Sequence, residues 1–140
     1  VVIASEAAMF LQAFARIGLI PDAGGTYYLP RQIGLARAMG AALFAEPVTA
    51  RQAAEWGMIW EAVDEARFAD AWWARARTLA AGPTATYRNI KRALRAGLSN
   101  DLEAQLLLEA ELQGELGTTH DFREGVLAFL EKRDARFEGR

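Results

Sequence analysis

The chain has 140 residues, 52% of them hydrophobic and 24% charged, with a formal net charge of −2. That profile belongs to a globular protein of one domain or part of one, and it lacks the strongly basic balance that general nucleic-acid binding brings. There is no cysteine and one histidine, His120, which excludes disulfides, thiolate catalysis, zinc–thiolate sites and a histidine pair for a metal.

No apolar run approaches the ~20 residues needed to span a bilayer. The start, VVIASEAAMF, has neither the basic region nor the long apolar region of a signal peptide, so a cytoplasmic location without membrane association is expected. It also lacks an initiating Met and reads as the interior of something longer. Val1–Ala4 is β-branched and apolar and predicts a short buried strand. Residues 7–20 are mixed and predict short, irregular elements. Helical signals dominate from Gly24 onward. Leu35, Ala38, Met39, Ala42 and Leu43 fall on one helical face. TARQ at 49–52 is a capping box with Thr49 as N-cap, and its helix should stop near Gly57. Met58–Val63 predicts a second short strand.

The remaining helices carry their own stripes. Phe68, Ala71, Trp72, Ala76 and Leu79 make the first, and Gly82-Pro83 breaks it. Tyr87, Ile90, Leu94 and Leu98 are expected as the buried face of the next. SND at 99–101 is cap chemistry, followed by Leu102, Leu106, Leu108, Leu112 and Leu116. Phe122, Val126, Phe129 and Leu130 are expected to line the last helix, with His120 near its N-cap. The natural division is residues 1–64 as a core and 65–140 as a helical region. The apolar faces after Glu65 are too many for a chain of this size to bury on itself, which predicts an oligomer interface.

IGLIPDAGGTYYLPRQIG, residues 17–34, places one carboxylate, Asp22, between a proline and a glycine pair in an apolar run. Asp22 is either the N-cap of the helix opening near Gly24 or an acid/base whose apolar neighbours Ile17, Leu19 and Ile20 tune it for proton transfer. Arg88, Lys91, Arg92 and Arg95 form a basic stripe at helical spacing, and Lys132-Arg133 follows near the end. Each is either a solvated face or a phosphate contact. The four tryptophans, Trp56, Trp60, Trp72 and Trp73, read as core or interface.

The run from Phe14 to Val63 carries G-L-x-P-D-x-G-G-T, then L-P-R-x-I-G, an alanine-rich helix and A-x-x-A-x-x-W-G-M-I. The chain closes on D-x-x-E-G-x-x-A-F-x-E-K-R-x-x-x-F-x-G. From about Phe10 to the end it resembles the crotonase (enoyl-CoA hydratase/isomerase) superfamily. The resemblance implies an α/β fold, the crotonase-like β/α spiral, here its back half with the C-terminal helical trimerisation region. The hydratases place a catalytic Glu eight residues before the position of Asp22, where this chain has Phe14, and Gly at the position of Asp22 itself. An Asp there resembles the isomerases, and most nearly those acting on ring-1,2-epoxyphenylacetyl-CoA in phenylacetate breakdown.

The resemblance therefore implies Asp22 as the catalytic carboxylate, with Phe14, Ile20 and Pro21 lining the acyl site. It implies Phe129 and Lys132 at the adenine and phosphates of coenzyme A, often that of a neighbouring subunit, although Phe129 also fits a core position. The partners it implies are an acyl-CoA substrate and further copies of the chain, as a trimer or a dimer of trimers. No metal or redox cofactor is expected, coenzyme A being part of the substrate. The oxyanion-hole donors are expected in a half preceding Val1. Enoyl-CoA or dienoyl-CoA isomerases of fatty-acid oxidation, a hydratase, and a non-catalytic assembly module are the alternatives.

Overall fold

In β1 (Ile3–Ser5) a short apolar strand pairs in parallel with β4 (Glu61–Val63), Ile3 opposite Glu61 and Ser5 opposite Val63. The structure, a computed structural model, describes residues 1–140. Backbone bonds from Trp60 N–H to the Val2 carbonyl and from Glu6 N–H to the Val63 carbonyl extend the pairing at both ends. The strand lies later than the expected Val1–Ala4. Val1 sits past the end of the register and is exposed, because β4 offers only three paired residues.

The other elements of the first half follow in order. β2 is Met9–Phe10, a 3-10 turn covers Ala13–Ile17, α1 is Gly25–Ile33 and α2 is Leu35–Phe44. β3 (Val48–Thr49) runs antiparallel to β2, with Phe10 opposite Val48. It leads directly into α3 (Ala50–Glu55). The capping box is formed: Gln52 N–H donates to Thr49 Oγ1 at 3.2 Å, and Thr49 N–H donates to Gln52 Oε1 at 3.0 Å. Gly57 follows with φ 78°, the left-handed conformation expected of a helix stop.

This part of the molecule packs α3 onto the strands through small side chains. Ala50 and Ala53 are fully buried and meet Ala4, Val48 and Ile59, with Phe10, Trp56 and Met58 packed around them. Alanine at these positions lets the helix backbone approach the sheet closely, and a larger side chain would overpack it.

The second half is helical: α4 (Phe68–Ala80), α5 (Thr84–Ala96), α6 (Leu102–Gly117) and α7 (His120–Glu131). α6 and α7 are capped by the polar residues that precede them. Asp101 accepts from Ala104 N–H at 2.8 Å, and Thr119 accepts from Phe122 N–H at 3.1 Å. The chain forms two compact units, Val1–Trp73 and Ala74–Arg140, divided within α4.

The helices are where expected, but the buried faces are not the large apolar stripes. In α2 the buried residues are Ala38 and Ala41, while Leu35, Met39 and Leu43 are exposed. α4 has no fully buried residue, and Trp72 and Trp73 stack on each other at 4.4 Å while remaining partly exposed. In α5 the buried residue is Asn89, with Ile90, Leu94 and Leu98 exposed. Its Nδ2 has no partner and borders a cleft of about 260 Å³ between α5 and α6, lined also by Ile90, Ala93, Leu112 and Leu116. In α6 only Leu112 is buried, and Leu102 and Leu106 face solvent. In α7 Phe122, Val126, Phe129 and Leu130 all face outward, and Asp121 and Ala128 are the buried pair. The reason is geometric. In α2, α5 and α7 small or polar residues sit where the helix is touched and most of the large ones are uncovered, whereas in α6 the expected stripe is the covered face, with Leu112 buried and Leu108 and Leu116 half-buried.

Candidate active site

The turn that carries Asp22 is built from backbone conformations that few residues accept. Ala23 has φ 49° and Gly24 φ 84°, two successive left-handed residues, and α1 starts immediately after them. Gly24 supplies one of these conformations without cost, whereas Ala23 sits where an L-residue is strained by ~1–2 kcal/mol. Gly25 serves a different need: a Cβ there would lie 3.2 Å from Pro21 Cβ, so its absence lets the proline close over the helix start. Gly25 N–H donates to the Asp22 carbonyl at 2.7 Å and locks the turn.

The Asp22 side chain does not cap α1. Gly24 occupies the N-cap position, no side chain accepts from the first turn, and the exposed Asp22 carboxylate has no hydrogen-bond or ion-pair partner in the chain. The capping alternative is thus removed, the left-handed Gly24 holding the N-cap position. The apolar neighbours are present but uncovered: Ile17, Leu19 and Ile20 are all exposed, Ile20 at 77%. Phe14 lies half-buried in the 3-10 turn, its carbonyl accepting from Leu19 N–H at 3.0 Å, and Pro21 is half-buried. Ile20, Pro21 and Asp22 are consecutive in the turn, with Phe14 on the segment that leads into it.

The next turn of α1 is rigidly furnished. Arg31 donates to the Tyr27 carbonyl at 2.9 Å, and its guanidinium lies 3.5 Å from the centre of the Tyr27 ring. This accounts for the arginine of the L-P-R signature as a helix-internal clamp.

The closing signature, residues 121–139, sorts into residues that face inward and residues that face outward. Asp121 is 3% exposed and accepts from Glu138 N–H at 2.7 Å and Gly139 N–H at 2.9 Å, while its own N–H donates to the Arg140 carbonyl at 2.9 Å. Burial pushes the Asp121 pKa up, but the two backbone donors and neighbouring His120 outweigh it and hold the carboxyl below its usual range. Glu124 accepts from Arg136 N–H at 2.8 Å and from both terminal nitrogens of Arg133 at 2.6 and 2.9 Å. The Arg133 guanidinium, then the Arg136 amide, draw the Glu124 pKa down to about 2. Arg133 also donates from Nε to Glu131 at 2.6 Å, and these carboxylates raise its own pKa. The ring of Phe137 packs beside Gly125, where a Cβ would touch it at 3.6 Å. The tail from Asp134 to Arg140 is thereby strapped along α7.

Two residues of the same signature take no part in the strap. Phe129 is 83% exposed, which removes the core alternative for it in this chain. Lys132 is exposed, ends α7 at φ 54°, and has no ion-pair partner. Arg133 N–H donates to the Ala128 carbonyl and Lys132 N–H to that of Phe129, the bonds that close a left-handed helix end. The Lys132-Arg133 pair therefore divides: Arg133 is consumed by Glu124 and Glu131, and Lys132 is open. Of the basic stripe on α5, Arg88 pairs with Glu115 at 3.2 Å and Arg92 with Glu111 at 3.4 Å, both exposed contacts to α6. Asp121, Glu124 and Arg133 were not expected as a unit, although D-x-x-E-G and E-K-R announce them. No three histidine, aspartate or glutamate side chains converge to hold a metal, and no helix is long and apolar enough to cross a membrane.

The family model for enoyl-CoA hydratase/isomerase matches residues 1–140, and the chain belongs to that family. It is 63% identical over its whole length to a probable enoyl-CoA hydratase of Rhodobacter capsulatus, covering 54% of that protein. It is 49% identical to the 1,2-epoxyphenylacetyl-CoA isomerase of Escherichia coli, again over the whole chain and 53% of the relative. The crystal structure of an enoyl-CoA hydratase from Bacillus anthracis superposes with a TM-score of 0.90 at 32% identity, over 99% of this chain and 54% of that one. The fold is the crotonase fold, and the chain spans about half the length of the relatives it matches.

Proposed function

We propose that the full-length protein is an acyl-CoA isomerase in which Asp22 moves the proton. The observation that carries this reading is the Asp22 carboxylate itself: held on a strained Pro-Asp-Ala-Gly-Gly turn, it neither caps the helix nor pairs with any cation. Asp22 takes a proton from the carbon beside the thioester carbonyl of the bound acyl group. The electron pair moves into the carbonyl as an enolate, and the same proton returns to a carbon further along, so a double bond shifts with no change in composition. Backbone N–H groups from the remainder of the enzyme hold the thioester oxygen as charge develops on it. Ile17, Leu19 and Ile20 form the apolar wall around the carboxylate, which the rest of the protein covers to exclude water.

We assign the Lys132 ammonium to a phosphate, and the Phe129 ring to the adenine, of coenzyme A bound by this or a neighbouring copy of the chain. Their exposure on α7 supports this assignment. The 49% identity to an epoxyphenylacetyl-CoA isomerase favours a ring-epoxide acyl group over a linear enoyl chain. There the carbon–carbon bond shared by the epoxide and the six-membered ring breaks to give the seven-membered oxepin, and the proton taken beside the thioester returns to a ring carbon, so composition is unchanged. The exposed apolar faces of α4 to α7 support assembly as a trimer or a dimer of trimers. A second reading, hydration of an enoyl-CoA, is favoured by the 63% identity to a probable hydratase. Phe14 stands against it, because a phenyl ring cannot activate water.

The test is an assay of the full-length protein with ring-1,2-epoxyphenylacetyl-CoA, a 3-enoyl-CoA and a 2-enoyl-CoA, followed by absorbance and mass. Conversion without mass change, lost in Asp22→Asn, supports the isomerase. A product heavier by one water would establish the hydratase, and no turnover of any substrate would point to a non-catalytic assembly role.

A further inference from the structure

The left-handed end of α7 is an unusual place for a lysine. Helices that stop this way place Gly or Asn at the left-handed position, because a Cβ there crowds the following carbonyl. Here Lys132 holds φ 54°, and the residue beside it is fixed on three sides. Arg133 makes a two-pronged contact with Glu124, a third bond to Glu131 through Nε, and a backbone bond to Ala128. Glu124 in turn accepts from the Arg136 amide, so the strap along α7 and the turn at Lys132 share one carboxylate. The result is a lysine in a left-handed turn flanked by a cross-linked arginine, with its ammonium left unpaired one helical turn from the exposed ring of Phe129.

We propose that Glu124 and Arg133 are positioning residues for coenzyme A: they hold the strained turn that presents Lys132 and Phe129 to the nucleotide end of the substrate. The proposal rests on the reading above that these two residues contact coenzyme A. Neither Glu124 nor Arg133 touches the substrate. Their contribution is to limit the conformations of the Lys132 backbone, so that less freedom is lost when the phosphate arrives. Their influence must then appear only on substrates that possess the nucleotide.

The experiment uses the full-length protein and two thioesters of one acyl group, the coenzyme A thioester and the N-acetylcysteamine thioester, which lacks the nucleotide. Phe129→Ala and Lys132→Ala should each raise KM for the coenzyme A thioester, the lysine variant by about tenfold or more. Glu124→Gln and Arg133→Lys should raise it by about three- to tenfold with kcat within about twofold, since each keeps size but loses the two-pronged contact. None of the four should change kcat/KM on the truncated thioester. In a Phe129→Ala/Lys132→Ala background, Glu124→Gln should add nothing further.

If Glu124→Gln and Arg133→Lys leave KM unchanged while the Phe129 and Lys132 variants raise it, the positioning role is wrong and the coenzyme A contact stands. If the Phe129 and Lys132 variants leave KM unchanged, the coenzyme A contact itself is wrong. Equal losses on both thioesters, or an undiminished Glu124→Gln effect in the double-variant background, would show a general structural role and overturn the proposal.

Discussion

Replacing Asp121 by Asn tests whether the tail is held by a buried carboxylate rather than by apolar packing. The two carboxylate oxygens accept from Glu138 and Gly139 N–H at 2.7 and 2.9 Å in a site that is 3% exposed. Asn retains one acceptor oxygen and sets an NH₂ group against the other donor. One charge-assisted bond is lost and one buried N–H is left facing another, a change worth about 2–3 kcal/mol. The expected readout is local: amide hydrogen exchange at Glu138 and Gly139 should speed up by roughly 30- to 150-fold in the full-length protein, the equivalent of that energy at ~1.4 kcal/mol per decade. Amides of α3 should not change, because their core contains no residue of the strap. Exchange at Glu138 and Gly139 within about threefold of the parent would refute the reasoning, as would equal acceleration in α3.

Three other outcomes follow from the same geometry. Asp22→Asn and Asp22→Ala should both lie within about 0.5 kcal/mol of the parent in stability, since the side chain has no partner to lose, and both should reduce turnover by ~10²–10⁴, checked by urea unfolding alongside the isomerase assay. The strap should release in acid. Asp121 and Glu124 have folded pKa values below their unfolded ones, Glu124 falling from 4.5 to about 2, so their stabilisation is complete above pH ~5 and is lost as pH falls towards 2. Exchange at the Arg136, Glu138 and Gly139 amides, corrected for intrinsic rates, should report that window, and flat protection down to pH 2 would contradict it. Lys132→Asn should raise stability by a few tenths of a kcal/mol while weakening coenzyme A binding, because Asn tolerates the left-handed turn but carries no charge; calorimetry on both properties decides it.

What the sequence disclosed depended on the range of the interaction. The capping box at Thr49 and Gln52, the Asp101 cap and the Gly57 stop each involve residues within a few positions, and all are formed. The strand near Val63 and the irregular stretch before Ile20 were legible for the same reason. Helical periodicity located α2 and α5 to α7 but could not say which face would be covered. Phe122, Val126, Phe129 and Leu130 share a face as their spacing requires, yet the covered face is that of Asp121 and Ala128. Its cover is an irregular tail with no periodicity of its own, whose amides reach back 17 and 18 residues to Asp121. The candidate site residues were named from the family resemblance and not from spacing. Whether Asp22 caps or stands free depended on the left-handed Ala23 and Gly24, which only the backbone reveals.

The same kind of backbone strain recurs beside two of the candidate residues. Only three residues other than glycine adopt positive φ: Ala23, Ala45 and Lys132. Ala45 is 1% exposed and ends α2, with its carbonyl accepting from the Arg16 guanidinium, so its strain is offset by burial and a hydrogen bond. The other two have no such burial. Ala23 adjoins the unpaired Asp22, and Lys132 is itself unpaired. In each case glycine or asparagine would relieve ~1 kcal/mol, and local stability alone would favour the change. Strain of this kind persists only where the surroundings over-determine it. For Lys132 the surroundings are Arg133 with Glu124 and Glu131. For Ala23 they are Pro21 closed over Gly25 and the bond from Gly25 N–H to the Asp22 carbonyl. One carboxylate and one ammonium are thus each held beside or within a strained turn and left without an internal partner, which is why Asp22 and Lys132 are the residues whose substitution separates function from stability.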